Sequence, residues 1–181
     1  MKKSSRRARV ATGAVLAAVA VGTFGAVSAN ASAPQAAQAR PAAVKSSDTF
    51  TSTHLSVSAA TEAAEAVLDA AKKENQRVSV AVVDRNGNTL VTLRGDGAGP
   101  QSYESAVKKA FTSVSWNAPT SELVKRLETT PNLKDIPGTL FLGGGVPVTV
   151  NNAPIAGIGV AGAPSGDLDE KFARAGVAAL D

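Results

Sequence analysis

Val78-Ser79-Val80-Ala81-Val82-Val83-Asp84, then Arg85-Asn86-Gly87-Asn88, then Thr89-Leu90-Val91-Thr92-Leu93-Arg94: the reading of this stretch decides the fold. Two apolar, largely β-branched runs flank Asn-Gly, the strongest short-range signal for a hairpin. A second hairpin is predicted downstream, with strands at about 147–150 and 155–160 and Asn151-Asn152 at its turn. It follows Gly143-Gly144-Gly145-Val146-Pro147. Glycine loses the most backbone entropy on folding. Three in succession imply a sharp turn, or a close approach to a neighbour or ligand.

Helical periodicity fills the segments around the hairpins. A first helix is predicted over about 59–74, with Ala60, Ala64, Val67, Leu68 and Ala71 as its apolar stripe. A second starts near Ser102 as N-cap and buries Tyr103, Ala106, Val107, Ala110, Phe111 and Val114. Pro119-Thr120 opens a short third helix carrying Leu123, Val124 and Leu127. The last begins near Ser165 and turns Leu168, Phe172, Ala175, Gly176 and Ala179 inward. Asp167, Asp169 and Glu170 fall in its first turn, where the helix dipole favours carboxylates. The order helix, hairpin, two helices, hairpin, helix defines an α+β domain, an antiparallel sheet of four to five strands flanked by helices.

Residues 1–31 read as a secretory leader. Lys2, Lys3, Arg6, Arg7 and Arg9 precede an apolar stretch, and Ala29-Asn30-Ala31 is a cleavage signal. Arg6-Arg7 leaves both general secretory (Sec) and twin-arginine export open. An uncleaved anchor is the alternative, weakened by Gly13, Gly22 and Gly25. Residues 32–54, rich in Ala, Pro, Gln, Ser and Thr, read as a flexible linker, and 55–181 as one domain. The chain has 19 basic and 15 acidic residues, but five basic and no acidic ones lie in 1–31. Without the leader the charge is −1, which removes the support for a nucleic-acid partner. No cysteine and one histidine exclude disulfides and ordinary zinc sites. A Ser-His-Asp mechanism would have to recruit His54 from the linker's edge.

Glu62, Glu65 and Asp69 stand at i, i+3 and i+7, on one face of the first helix. They form either a solvated face or a site for a hard cation such as iron or calcium. Arg94, with Lys108 and Lys109 on the second helix, either receives an anion such as a propionate or is simply solvated. The triple glycine is not a phosphate loop, since no Lys-Ser/Thr follows. It leads into a strand, so it is not a dinucleotide fingerprint either.

Several motifs, in order, resemble the GlcG/HbpS-like haem-degrading (DUF336) family over about residues 55–180. They are Val80-Ala81-Val82-Val83-Asp84-x-x-Gly87, Arg94-x-Asp96-Gly97-Ala98, Lys109-Ala110, Gly143-Gly144-Gly145-Val146-Pro147, Gly157-Ile158-Gly159-Val160-x-Gly162 and Asp169-Glu170. The resemblance implies a profilin-like fold and a homo-oligomer, an octamer in the secreted members. It implies haem as ligand, slow haem degradation and iron binding, with the extracellular domain of a membrane sensor histidine kinase as partner. It assigns Glu62 and Glu65 to iron, with Asp69 beside them, and carries a haem-binding threonine to Thr112. Tyr103, Arg94, Lys109 and Phe111 complete the expected haem site. Haem iron is usually held by His, Cys, Met or Tyr, and after the leader only His54 and Tyr103 qualify, leaving coordination to Tyr103 or to oxygen ligands.

Overall fold

The computed structural model describes residues 42–181, and the predicted leader, 1–31, lies outside them. No helix among the described residues is long and apolar enough to cross a membrane. Residues 42–54 are exposed and carry one 3-10 turn, Ser46–Asp48.

Helix α1 spans Val57–Lys73 and is capped by Ser56, whose Oγ accepts the Ala59 N–H at 3.2 Å. Strands β1 (Ser79–Asp84) and β2 (Thr89–Arg94) form the first predicted hairpin. Gly87 takes φ +87° at its turn, which explains the glycine of Asn-Gly. Asp84 organises the same turn. Its Oδ1 accepts the N–H groups of Asn86 and Asn88, both at 2.8 Å, and its Oδ2 accepts Asn88 Nδ2 at 3.1 Å.

Burial alone would raise the Asp84 carboxyl, but the bonds from Asn88 and Asn86 outweigh it and hold it below its ordinary value. A depressed acid stabilises the fold above its unfolded value and loses that contribution as pH falls through the folded one. Asp84→Ala should therefore cost about 1–3 kcal/mol at neutral pH, and less in acid once pH falls below its ordinary value of 3.8. Urea unfolding at both pH values checks this, and an equal loss at both would refute it.

Helix α2 runs Pro100–Trp116 and starts two residues before the expected Ser102. Proline suits the first turn because its missing N–H is not needed there, and Gly99 is the N-cap. Ser102 lies inside that turn. Its Oγ donates to Gly99 O at 2.6 Å, so the buried Ser79 Oγ, 2.8 Å away, donates to Ser102. Asn117 closes the helix in the left-handed region at φ +48°. After α3 (Thr120–Val124) and two 3-10 turns come β3 (Gly145–Val150), β4 (Ala153–Ala161) and α4 (Gly166–Ala178). Asn151 and Asn152, both at positive φ, join β3 to β4 in the pattern that matches strand twist. Ser165 caps α4 as predicted.

Among the described residues one antiparallel sheet has the order β2-β1-β4-β3. Its two faces are covered differently. Val80, Val82, Ile158, Val160, Val146 and Val148 pack with the alanine stripe of α1 and with Phe172 and Ala173 of α4. Ala81, Val83 and Ala161 face α2 through Ala106, Ala110 and Val114. The α2 side is thin because β3 and β4 present glycines there. Gly145 pairs with Gly159 in the register. A Cβ on Gly157 would strike Ala110 O, one on Gly159 would strike Ala106 O, and one on Gly145 would strike Lys109 O. The helix backbone sits directly on the strands.

Candidate functional site

Lys109, expected at a solvated edge or free to receive an anion, is neither. It is 4 % exposed, and Asp169 is 3 % exposed. Lys109 Nζ donates to Asp169 Oδ2 at 2.7 Å and to Val160 O at 3.0 Å. Asp169 Oδ1 accepts the Ala163 N–H at 3.0 Å. Burial pushes the Asp169 carboxyl above its ordinary value, against the opposing pull of Lys109 and Ala163. The glycine loop makes room for this pair. Gly144 stands at φ +123°, and a Cβ there would lie 2.8 Å from both Lys109 Nζ and Asp169 Cβ.

Glu170 is buried beside Asp169. Its Oε2 accepts the Ser121 N–H at 3.2 Å and its Oε1 pairs with Arg174 at 2.7 Å. Thr120 Oγ1 accepts the Gly145 N–H at 2.8 Å. Asp169 and Glu170, read from sequence as dipole-stabilised carboxylates, are thus internal anchors that tie α2, α3, the glycine loop and α4 together. Of the lysine pair, only Lys108 is at the surface, bound to Glu104 at 2.6 Å.

Thr112 is also internal. It is fully buried, its Oγ1 donating to Lys108 O at 2.7 Å and accepting the Leu140 N–H at 2.8 Å. Its hydroxyl holds the segment before the glycine loop to α2. Trp116, one turn on, packs against Phe141 with ring centroids 5.8 Å apart.

Tyr103 departs from expectation in the opposite direction. Predicted buried, it is 48 % exposed. Tyr103, Val107 and Phe111 follow one another at i, i+4 and i+8, a ridge on one side of α2. The Phe111 ring lies beside Gly87, where a Cβ would be 2.9 Å from its edge, so the ridge runs toward the β1–β2 hairpin. Arg94 ends β2 opposite Ser79, whose hydroxyl meets Ser102, the neighbour of Tyr103. Its Nε and Nη2 donate to Ala98 O at 3.1 and 2.5 Å, which fixes the guanidinium. Arg94, Tyr103 and Phe111 therefore share one side of α2, while Lys109 and Thr112 are buried away from it.

Glu62, Glu65 and Asp69 are exposed on α1, and none is in an ion pair among the described residues. No three potential ligand side chains cluster at metal-binding distance among those residues. His54 is exposed, with Nε2 2.6 Å from Ser52 Oγ.

This fold and site define an α+β domain of the profilin-like kind, with an exposed phenol on one helix in line with half-buried Val107 and Phe111, and an exposed guanidinium from β2. The chain belongs to the HbpS-like family: the model for haem-degrading, HbpS-like proteins matches residues 55–178. It is similar to the crystal structure of a double mutant of Streptomyces reticuli HbpS, at 69 % identity and TM-score 0.78, covering 80 % of this chain and 99 % of that one. In that mutant two glutamates three positions apart are replaced by aspartates. It is also similar to the crystal structure of a PduOC:heme complex, at 27 % identity and TM-score 0.66, covering 71 % and 96 %. An uncharacterised 15.0 kDa protein from the dhaT-dhaS intergenic region of Citrobacter freundii is 32 % identical over 113 residues, 60 % of this chain and 80 % of the relative.

Proposed function

We propose that this is a secreted haem-binding protein that also takes iron, assembles as a homo-oligomer (an octamer) and modulates the extracellular domain of a membrane sensor histidine kinase. The ridge Tyr103, Val107 and Phe111 beside Arg94 carries the haem reading. The residues present fit the group. Val107 and Phe111 offer an apolar face to the macrocycle, a tyrosine phenolate is a known haem ligand, and a fixed guanidinium suits a propionate. Haem, when bound, supplies redox-active iron, and the side chains hold and orient it. The relative solved with haem supports this reading.

For iron, Glu62 and Glu65 are the only glutamates of this chain three positions apart, the spacing of the pair altered in the S. reticuli mutant. Two exposed carboxylates, with Asp69 a turn further on, suit a weak hard-cation site. A haem-degrading enzyme is the second reading, favoured by the family description.

Haemin titration of the tag-free protein tests the first reading. A saturable Soret shift near one haem per subunit is expected. Tyr103→Phe should weaken it about tenfold, roughly 1.4 kcal/mol. Thr112→Ala should lower thermal stability and leave haem affinity of the folded protein unchanged, because its hydroxyl is internal. A non-saturating signal indifferent to Tyr103 and Arg94 would end the haem reading. Catalytic breakdown of excess haem with added reductant would select the enzyme.

A further inference from the structure

A second cleft lies at the opposite end of the hairpin from Phe111, where the end of α1 meets the end of β2. It encloses about 530 Å³, within the range of small-molecule sites. Its apolar lining is Leu68, Ala71 and Val78, and its charged lining is Lys72, Arg77 and Arg94 with Asp69 and Asp96. None of these five charged side chains is in an ion pair among the described residues.

The two guanidinia are held by one loop, Gly95–Ala98. Arg94 is pinned to Ala98 O. Arg77 lies across Gly97, where a Cβ would be 3.0 Å from Arg77 Cδ and 3.4 Å from its Nε. Gly97 stands at φ +76°, a conformation that glycine adopts without strain. The loop thus fixes two like charges on one cleft, and among the described residues no carboxylate lies within ion-pair distance to neutralise them. An anion between them would relieve the repulsion and accept a planar, forked set of donors.

We propose that this cleft binds a small organic carboxylate, its apolar body on the half-buried Leu68, since Ala71 and Val78 are each only 1 % exposed, and its carboxylate between Arg77 and Arg94 with Lys72 at the rim. Asp69 and Asp96 restrict the site to a ligand with one compact negative charge, since a polyanion would meet them. The site meets the haem ridge at Arg94, and the proposal does not rest on haem binding.

Calorimetric titration with 2-naphthoate and with its uncharged amide, 2-naphthamide, tests it. Saturable binding of the acid is expected, with the amide at least tenfold weaker. Arg77→Gln and Lys72→Gln, both at exposed positions, should each weaken the acid several-fold and leave thermal stability and haemin titration unchanged. Gly97→Ala, which displaces the Arg77 side chain, should weaken it as well. No saturation by the acid, equal binding of the amide, or indifference to Arg77→Gln would overturn the proposal.

Discussion

Replacing Lys109 with methionine is expected to lower the unfolding free energy by about 3–5 kcal/mol, the cost of leaving one buried charge without its partner. Asp169, 3 % exposed, would keep the Ala163 N–H but lose its ammonium, and Val160 O would lose a donor. The orphaned carboxyl would then be pushed further upward by burial, so the folded state would hold a proton that the unfolded state releases. A raised acid destabilises as pH rises through the unfolded and toward the folded value. The variant should therefore be least impaired in acid, with its deficit growing as pH rises above the ordinary carboxyl value of about 4. Lys109→Met combined with Asp169→Leu should recover much of the loss, because a well-packed apolar pair removes the desolvation cost altogether. Urea unfolding of the three variants across pH checks all of this. A loss under about 1 kcal/mol for the single variant would show that the pair is not buried as described.

The second large effect is expected at Gly159. Gly159→Ala adds one methyl, which in most strand positions is favourable for backbone entropy. Here that methyl would strike Ala106 O and press on Ala110 N, both backbone atoms of α2. Neither can move unless the helix lifts from the sheet, which also pulls Lys109 away from Asp169. The expected cost is about 3 kcal/mol or more, at the upper end of overpacking effects. Ile158→Val, the neighbour on the other face, is the control and should cost about 0.5–1.5 kcal/mol. Thermal melts of both decide it. If Gly159→Ala is no worse than the control, α2 does not rest on the strands.

The hairpins were legible in the sequence because Asn86-Gly87 and Asn151-Asn152 are the residues that reversed turns require, and both turns form there. The helices were legible from their spacing, though α1 and α2 each start two residues earlier than expected, α2 because Pro100 at the first turn outweighs Ser102 as a cap. The triple glycine could be read as a close approach, but not as an approach to α2 and an ion pair. Lys109 and Asp169 lie 60 residues apart, and no local period records such a pairing. Periodicity also treats every lysine as surface and every aromatic as core. That misplaces Lys109 and Tyr103 in opposite directions, since a long aliphatic stem can carry an ammonium inward and a phenol can stay in water. Thr112, assigned through the resemblance, is internal, and a hydroxyl that bridges two backbone groups leaves no trace in spacing.

The sheet order bears on when the chain can fold. The two central strands, β1 and β4, pair Ser79 with Ala161, and α1 lies against α4 through Ala63 and Gly176. The middle of the sheet therefore joins segments distant in sequence, and forming it closes a loop of about 80 residues between Ser79 and Ala161. The local hairpins can form early, but a ribosome-bound fragment lacking β4 has only an isolated pair of strands with α1 and α2 uncovered. Such a fragment cannot reach its final state until the last helix has emerged. Truncations that remove α4 should behave as unfolded chains and not as smaller domains.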